Sequence, residues 1–413
     1  MEPTSTPGTE QSLEELSVSD SEHWQDGPPL EVFKRLRSEC PVHWSEMNEF
    51  PEEAGYWGLH KAEHIREVSL DWETFSSQVG GCVGLTHGIP LELMNSMFIG
   101  MDPPKHDRIK RLFQRGFTPK RIAEHEDEIR EITIRVLEGL EGRESCDLVT
   151  DVAQPAVSRV IGSFMGIPED EDAEWAALMN TTLGAGDGNG DTFAEAPEIA
   201  VEALAEVFQR CKVMVEERRE NPTDDLTSVL VHAEIEGEKL ADEEIVMGFF
   251  LLVAAGNDST KATYTSGMRA LIEHPEQMKL LADDPSLIPG AVEECLRMFP
   301  AFAHFRRTTT RETEIGGQKI GAGEKVIMWY PSSNRDEDVY DDPDHFDVLR
   351  NPEHQAFGAG GRHFCLGTAL ARLELRLLFE ETLKRFPAMT LDGEPEHVVS
   401  PFVNQMRTLP VRL

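Results

Sequence analysis

Read for apolar periodicity, the chain is mostly helical. A short amphipathic helix is predicted over Pro29 to Arg37, and residues 122–140 and 148–166 follow helical spacing, the second closed by Gly166-Ile-Pro168. Helical Trp175 to Met179 and Ala200 to Glu217 flank a Gly-rich connector at Leu183 to Gly190. The longest pattern opens at Gly237 and places Asp242, Glu243 and Glu244 in its first turn, where the helix dipole favours acids. It runs to His274, where Pro275 ends it. It is apolar nearly all round through Leu252, as a central buried helix must be. Strand-like pieces are few. They are Val42 to Trp44, Gly55 to Leu59, a hairpin from Glu314 to Ile320 turning on Gly316-Gly317, and a buried strand at Lys325 to Tyr330. The fold class is therefore mainly α with small β-sheets.

Three stretches break this pattern. Residues 77–100 are Gly-rich and irregular, yet carry Val83, Leu85, Leu91, Met94 and Phe98, which suits a loop covering a cavity. The apolar run of the long helix is interrupted by Ala255-Gly256-Asn257-Asp258-Ser259-Thr260, and polar residues there need partners or a function. The third is Phe357-Gly-Ala-Gly-Gly-Arg362-His363-Phe-Cys365-Leu-Gly367, just ahead of helical Thr368 to Phe379. Near a helix start, unpaired N–H groups and the positive dipole end favour a thiolate, the form that ligates a metal. Gly358, Gly360, Gly361 and Gly367 clear side chains away, so something flat and bulky can approach the backbone. Arg362 and His363 add positive charge beside the sulfur. A nucleotide loop is excluded, because no Lys-Ser/Thr follows and the spacing is not G-x-G-x-x-G.

Composition adds limits. No linker or compositional break divides the chain after residue 25, and no repeat is present, so residues 26–413 read as one domain. Residues 1–25 read as a flexible polar, acidic tail, without the positive and apolar regions of a signal peptide. The longest apolar run, Ile245 to Ala255, is shorter than the ~20 residues a bilayer requires, so no membrane anchor is expected. The six cysteines are dispersed without a C-x-x-C pair, which fits a reducing compartment and argues against structural zinc. A formal net charge of −37 disfavours nucleic acid and anionic membrane as partners. Against that background, Lys105, Arg108, Lys110, Arg111, Arg115, Lys120 and Arg121 form a basic island broken only by Asp107.

Taken in order, five segments resemble the signature of the cytochrome P-450 superfamily. They are Met101-Asp-Pro-Pro-Lys-His106 with Lys110, Ala255 to Thr260, Glu294-Cys-Leu-Arg297, Phe346-Asp-Val-Leu-Arg350-Asn-Pro352, and the Phe357 to Gly367 loop. The resemblance covers residues 101–370 and implies a helical prism with small sheets at one side. It places haem b between the long central helix and the cysteine loop, with Cys365 as axial thiolate, a ligand that favours O–O cleavage. It implies Phe357 and Gly367 as framing residues of that loop, and His106 and Lys110 as ligands of the haem propionates. Arg307 aligns best with a further propionate ligand and Arg306 second, and either Arg362 or His363, beside the cysteine, binds a propionate as well. It implies that Ala255 and Gly256 let the helix open to O₂ and water, while Asp258 and a hydroxyl, Ser259 or Thr260, deliver protons. Glu294, Arg297 and Arg350 would form a structural ion network, and the 183–190 connector resembles the family's mobile lid.

The sequence departs from the usual pattern in three places. Phe357 stands eight residues before Cys365 where seven is common, Lys110 stands where Arg is usual, and Ser259 where Thr is usual. The longer loop looks like that of bacterial members acting on steroid side chains and branched lipids. The implied reaction is monooxygenation of an apolar substrate: a steroid, terpenoid, branched lipid or aromatic hydrocarbon. O₂ is the co-substrate. The chain carries no flavin or Fe–S module, so electrons would come from a 2Fe-2S ferredoxin and its reductase, docking near Arg108, Arg111 and Arg115. A cytoplasmic monomer is implied. Two alternatives are a peroxide-driven peroxygenase, which tends to place a substrate acid or Arg where Asp258 and Ser259 stand, so that those residues speak against it, and a non-catalytic haem sensor, which would not need that pair.

Overall fold

Where the sequence has its β-type runs, strands form, most of them in one sheet and the Gly316-Gly317 hairpin apart from it. The structure, a computed structural model, describes residues 11–86, 90–183 and 197–413. Two units emerge from the chain's contacts, each assembled from separated stretches. The first takes in residues up to Asn95, Gly290–Cys365 and Glu396–Gln405. Its strands are β1 (Val42–Ser45), β2 (Tyr56–Leu59), β3 (Phe75–Ser76), β4 (His304–Thr309), β5 (Thr313–Ile315), β6 (Gln318–Ile320) and β7 (Lys325–Trp329). A five-stranded sheet has the order β1-β2-β7-β4-β3, with β7 parallel to β2 and antiparallel to β4. Strand β7 is buried at every position, which is why it reads as an unbroken apolar run after Lys325. The β5–β6 hairpin turns on Gly316 and Gly317, whose φ values of 56° and 82° suit the left-handed two-residue turn.

Helix Leu30–Glu39 covers this sheet through Val32, Phe33 and Leu36, which join Trp24, Tyr56 and Trp329 in one cluster. That cluster corrects the expected tail. Leu16, Val18 and Trp24 are buried in it, and the Trp24 indole N–H donates to the Val18 carbonyl at 2.7 Å. Burial of three apolar side chains in a polar stretch is enough to order it; residues 1–10 lie outside the described residues. On helix Ile288–Met298, Arg297 grips Glu294 through two bonds of 2.7 Å, and both side chains are wholly buried. Arg350 adds a third bond to Glu294 at 3.3 Å and donates to the Asp341 and Asp342 carbonyls. The predicted ion network therefore forms, and it ties the segment before the cysteine loop to this helix.

The second unit comprises Ser96–Pro289, Leu366–Pro395 and Met406–Leu413. Its axis is helix Asp242–Glu273, packed by helices Gln154–Met165, Pro197–Glu220 and Thr368–Arg385. Close packing dictates its glycines. A Cβ at Gly248 would lie 2.0 Å from the Phe113 ring, and one at Gly256 would lie 3.0 Å from Ile161 Cδ1. The helix expected over 148–166 is divided: Leu148–Ala153 forms wider π-type turns, and the α-helix begins at Gln154-Pro155. Proline lacks an N–H and fits only a first turn, so it fixes the start of that helix. The helix expected over 122–140 likewise divides at His125 into Pro119–Glu124 and Glu126–Glu138. The connector expected at Leu183 to Gly190 lies outside the described residues from 184 onward. No described helix is long and apolar enough to cross a membrane.

Candidate active site

The cysteine loop, in the first unit, is shaped by its glycines. Gly358, Gly360 and Gly361 have φ of 90°, 95° and 78°, a region side-chain-bearing residues rarely adopt. At Gly361 a Cβ would also lie 2.1 Å from the Ser69 carbonyl oxygen, so the loop presses on the end of helix Ala62–Leu70. The Cys365 N–H donates to the Phe357 carbonyl at 2.9 Å. That bond closes the loop and accommodates the longer spacing between these two residues. The Phe357 ring packs on His354 at 5.5 Å, and His354 Nε2 lies 3.2 Å from a Glu293 oxygen. His363 Nε2 is 3.1 Å from Ser77 Oγ, whereas Arg362 is exposed. Cys365 is the exposed cysteine of the six. Gly367 stands at the N-cap of helix Thr368–Arg385.

Strand geometry separates the two adjacent arginines of β4. Successive side chains point to opposite faces, so only one can serve a given site. Arg307 donates one bond of 2.6 Å to the Arg306 carbonyl. Arg306 is turned instead to the 81–86 segment, donating to Leu85 O at 3.0 Å and Thr86 O at 3.4 Å. Lys325 Nζ reaches the same Leu85 carbonyl at 3.2 Å and Glu53 at 2.8 Å. Burial pulls the pKa of both cations down. Arg306 is thus an anchor of this segment. Leu85, Met94 and Phe98 are buried, as apolar residues in an irregular stretch should be; residues 87–89 lie outside the described ones.

In the second unit, helix Lys105–Phe113 presents His106 and Lys110, four residues apart and both buried, on one face. His106 Nδ1 bonds an Asp107 oxygen at 2.9 Å. The basic island is less uniform than its composition: Arg108 pairs with Glu244, and Arg121 with Asp224 at 3.3 Å. Lys105, Arg111, Arg115 and Lys120 are exposed.

The long helix is continuous through Ala255 and Gly256. Ser259 Oγ donates to the Ala255 carbonyl at 2.9 Å, the back-bond a half-buried helical serine makes. Asp258 is paired with Lys261 at 2.7 Å, both buried. Asn257 Oδ1 accepts from Ser158 at 2.8 Å. Thr260 shares a hydrogen bond with Glu374 of helix Thr368–Arg385, and burial pushes that carboxyl up to about 8. Glu374 is therefore largely protonated at neutral pH. Sequence reasoning missed Lys261 and Glu374. The available signals were an i, i+3 charge pair and one acid among Leu370, Leu373 and Leu377 on an apolar helix face.

These side chains suit an iron porphyrin. An exposed thiol on a loop cleared by positive-φ glycines is a ligand type that haem iron takes. The buried nitrogen donors at His106, Lys110 and Arg307 are the partners that carboxylates require. Comparison with known proteins agrees. The family model described as Cytochrome P450 matches residues 286–408. The methyl-branched lipid omega-hydroxylase of Mycobacterium tuberculosis is 36% identical over 98% of this chain and 96% of that protein. A steroid C26-monooxygenase of Mycolicibacterium smegmatis is 34% identical over 94% of this chain and 93% of its own. The crystal structure of CYP108D1 from Novosphingobium aromaticivorans superposes with a TM-score of 0.86, at 31% identity and 96% coverage of both chains.

Proposed function

The chain belongs to the cytochrome P450 family and is a haem b monooxygenase; from that premise we propose that it hydroxylates an apolar lipid, a methyl-branched chain or a steroid side chain. Cys365 carries the reading: an exposed thiol held in a closed, glycine-shaped loop directly before a helix. In this reading Cys365 ligates the iron, and His106, Lys110 and Arg307 take the propionates. Bound haem supplies the oxygen chemistry, with the thiolate lending electron density. The protein's own residues place the substrate and move protons. Asp258 handles the proton at its carboxylate oxygens. Ser259 Oγ, with its own proton directed at Ala255 O, keeps its lone pairs to accept from a water. Thr260 is a weaker candidate, since its hydroxyl is engaged with Glu374. An acid followed by a hydroxyl favours monooxygenation over the peroxide-driven reaction and over a sensor.

Electrons come from a ferredoxin that docks on Lys105, Arg111 and Arg115; Arg108, already balanced by Glu244, contributes little. The substrate class rests on what the relatives' names say of those proteins. The test is NAD(P)H-driven turnover with a ferredoxin and its reductase, offering a methyl-branched fatty acid, a sterol and a small polar control. The proposal predicts low-to-high-spin conversion and hydroxylated product with one of the first two. Product from the polar control alone, or equal product from peroxide without the electron donors, contradicts it.

A further inference from the structure

Asp258 and Lys261, three residues apart on the long helix, are 5% and 7% exposed and joined Oδ1 to Nζ at 2.7 Å. The pair does not stand alone. Gln154, at the start of helix Gln154–Met165, accepts from Lys261 Nζ through Oε1 at 3.0 Å. The Gln154 amide donates to Ser158 Oγ at 2.8 Å, and Ser158 donates to Asn257 Oδ1 at 2.8 Å. Acid, ammonium, amides and hydroxyl thus form one polar chain joining two helices of the same unit. Several charged groups on elements packed against this helix have other partners. Arg159 pairs with Asp172, Asp151 with Arg143, Arg210 with Glu174 and Glu206, and Glu374 bonds Thr260. Among the described residues, Lys261 is the ion-pair partner of Asp258.

Desolvating two charges costs several kcal/mol, and a well-packed apolar pair could fill the same space without that cost. The pair must therefore be read for what it fixes. A carboxylate so held has its direction set by the lysine, and the lysine's by Gln154. We propose that Lys261, restrained by Gln154, is a positioning residue for Asp258. It holds the carboxylate on the ammonium, and proton transfer through Asp258 requires this pair to open. The inference rests on the relay reading above, but its first test does not.

That test is infrared spectroscopy of the haem-loaded protein at neutral pH. A buried carboxylate deprived of its counter-ion takes up a proton. Lys261→Met should therefore gain a carboxylic-acid carbonyl band absent from the parent and from Lys261→Arg. The band should vanish in Lys261→Met combined with Asp258→Asn. A spectrum of Lys261→Met without any Asp258-dependent band overturns the proposal. Should Lys261→Met not fold, Gln154→Leu keeps the pair and removes its restraint. It should lower product per NAD(P)H and change the solvent deuterium isotope effect on turnover, and parental values for both overturn the proposal. Asp258→Asn with normal turnover would sink the relay reading separately, leaving the infrared result to decide the role of Lys261.

Discussion

Glu374 shows how much one buried residue can govern. Its carboxyl rises from 4.5 to about 8, chiefly through burial, and Thr260 shares a hydrogen bond with it. The folded protein therefore holds a proton that the unfolded chain has already lost between these two values. Stability should fall as pH rises from 4.5 to about 8, by about 1.4 kcal/mol per pH unit, and level off above. Glu374→Gln keeps the shape and the hydrogen bond without the titration. Thermal unfolding of parent and variant should nearly coincide at pH 5 and diverge toward pH 8, with the variant the more stable. Parallel curves across that range would contradict the assignment. At the neighbouring hydroxyl, Ser259→Ala should divert NAD(P)H electrons from product into hydrogen peroxide, while Ser259→Thr should not. Asp258→Asn should slow turnover by about 100-fold, the lower end for loss of a positioned proton donor. Unchanged coupling in Ser259→Ala would shift attention to Thr260.

Among the elements, the 81–86 segment is held from below by the sheet. Arg306 and Lys325, on neighbouring strands, converge on the Leu85 carbonyl, with Glu53 as carboxylate partner of the lysine. Arg306→Met would leave the Leu85 carbonyl with Lys325 alone and take the guanidinium from the Thr86 carbonyl, at about 1–3 kcal/mol for a group left unsatisfied. Hydrogen exchange should quicken around residues 81–86, and substrate-induced spin conversion should weaken even though the haem still loads. Unaltered exchange there would remove Arg306 from this role. The contrast with what the sequence revealed is instructive. The long helix, the Gly316-Gly317 hairpin and the buried β7 strand are legible because period and turn chemistry are local properties. The break at Pro155 was legible too, but helical spacing on both sides masked it. The cysteine loop, the Asp258 segment and the Glu294–Arg297–Arg350 network stand out as motifs. The partners of Arg306 and Glu374, and the Gln154 that restrains Lys261, do not, because each lies on a different element, more than a hundred residues away. The same holds for Leu16 and Val18, whose polar neighbours concealed that they belong to a core.

For the whole molecule, charge is the dominant variable. A chain of net charge −37 repels an acidic protein everywhere except where cations remain exposed, and Lys105, Arg111, Arg115 and Lys120 are such cations. Exposed charges are screened over about 8–10 Å at physiological ionic strength, so ferredoxin-driven reduction should slow as salt rises. Arg111→Glu with Arg115→Glu should slow it at low salt and flatten the salt dependence, whereas Arg108→Gln should do little. Equal effects at all three positions would contradict the view that Glu244 already neutralises Arg108. The central claim, however, concerns the thiol. One absorption measurement tests it most directly: the reduced, CO-bound spectrum of the parent and of Cys365→Ser, each loaded with haem. The parent should show the red-shifted Soret band of thiolate ligation, and Cys365→Ser should bind haem without it. The same red-shifted band in Cys365→Ser would contradict the account.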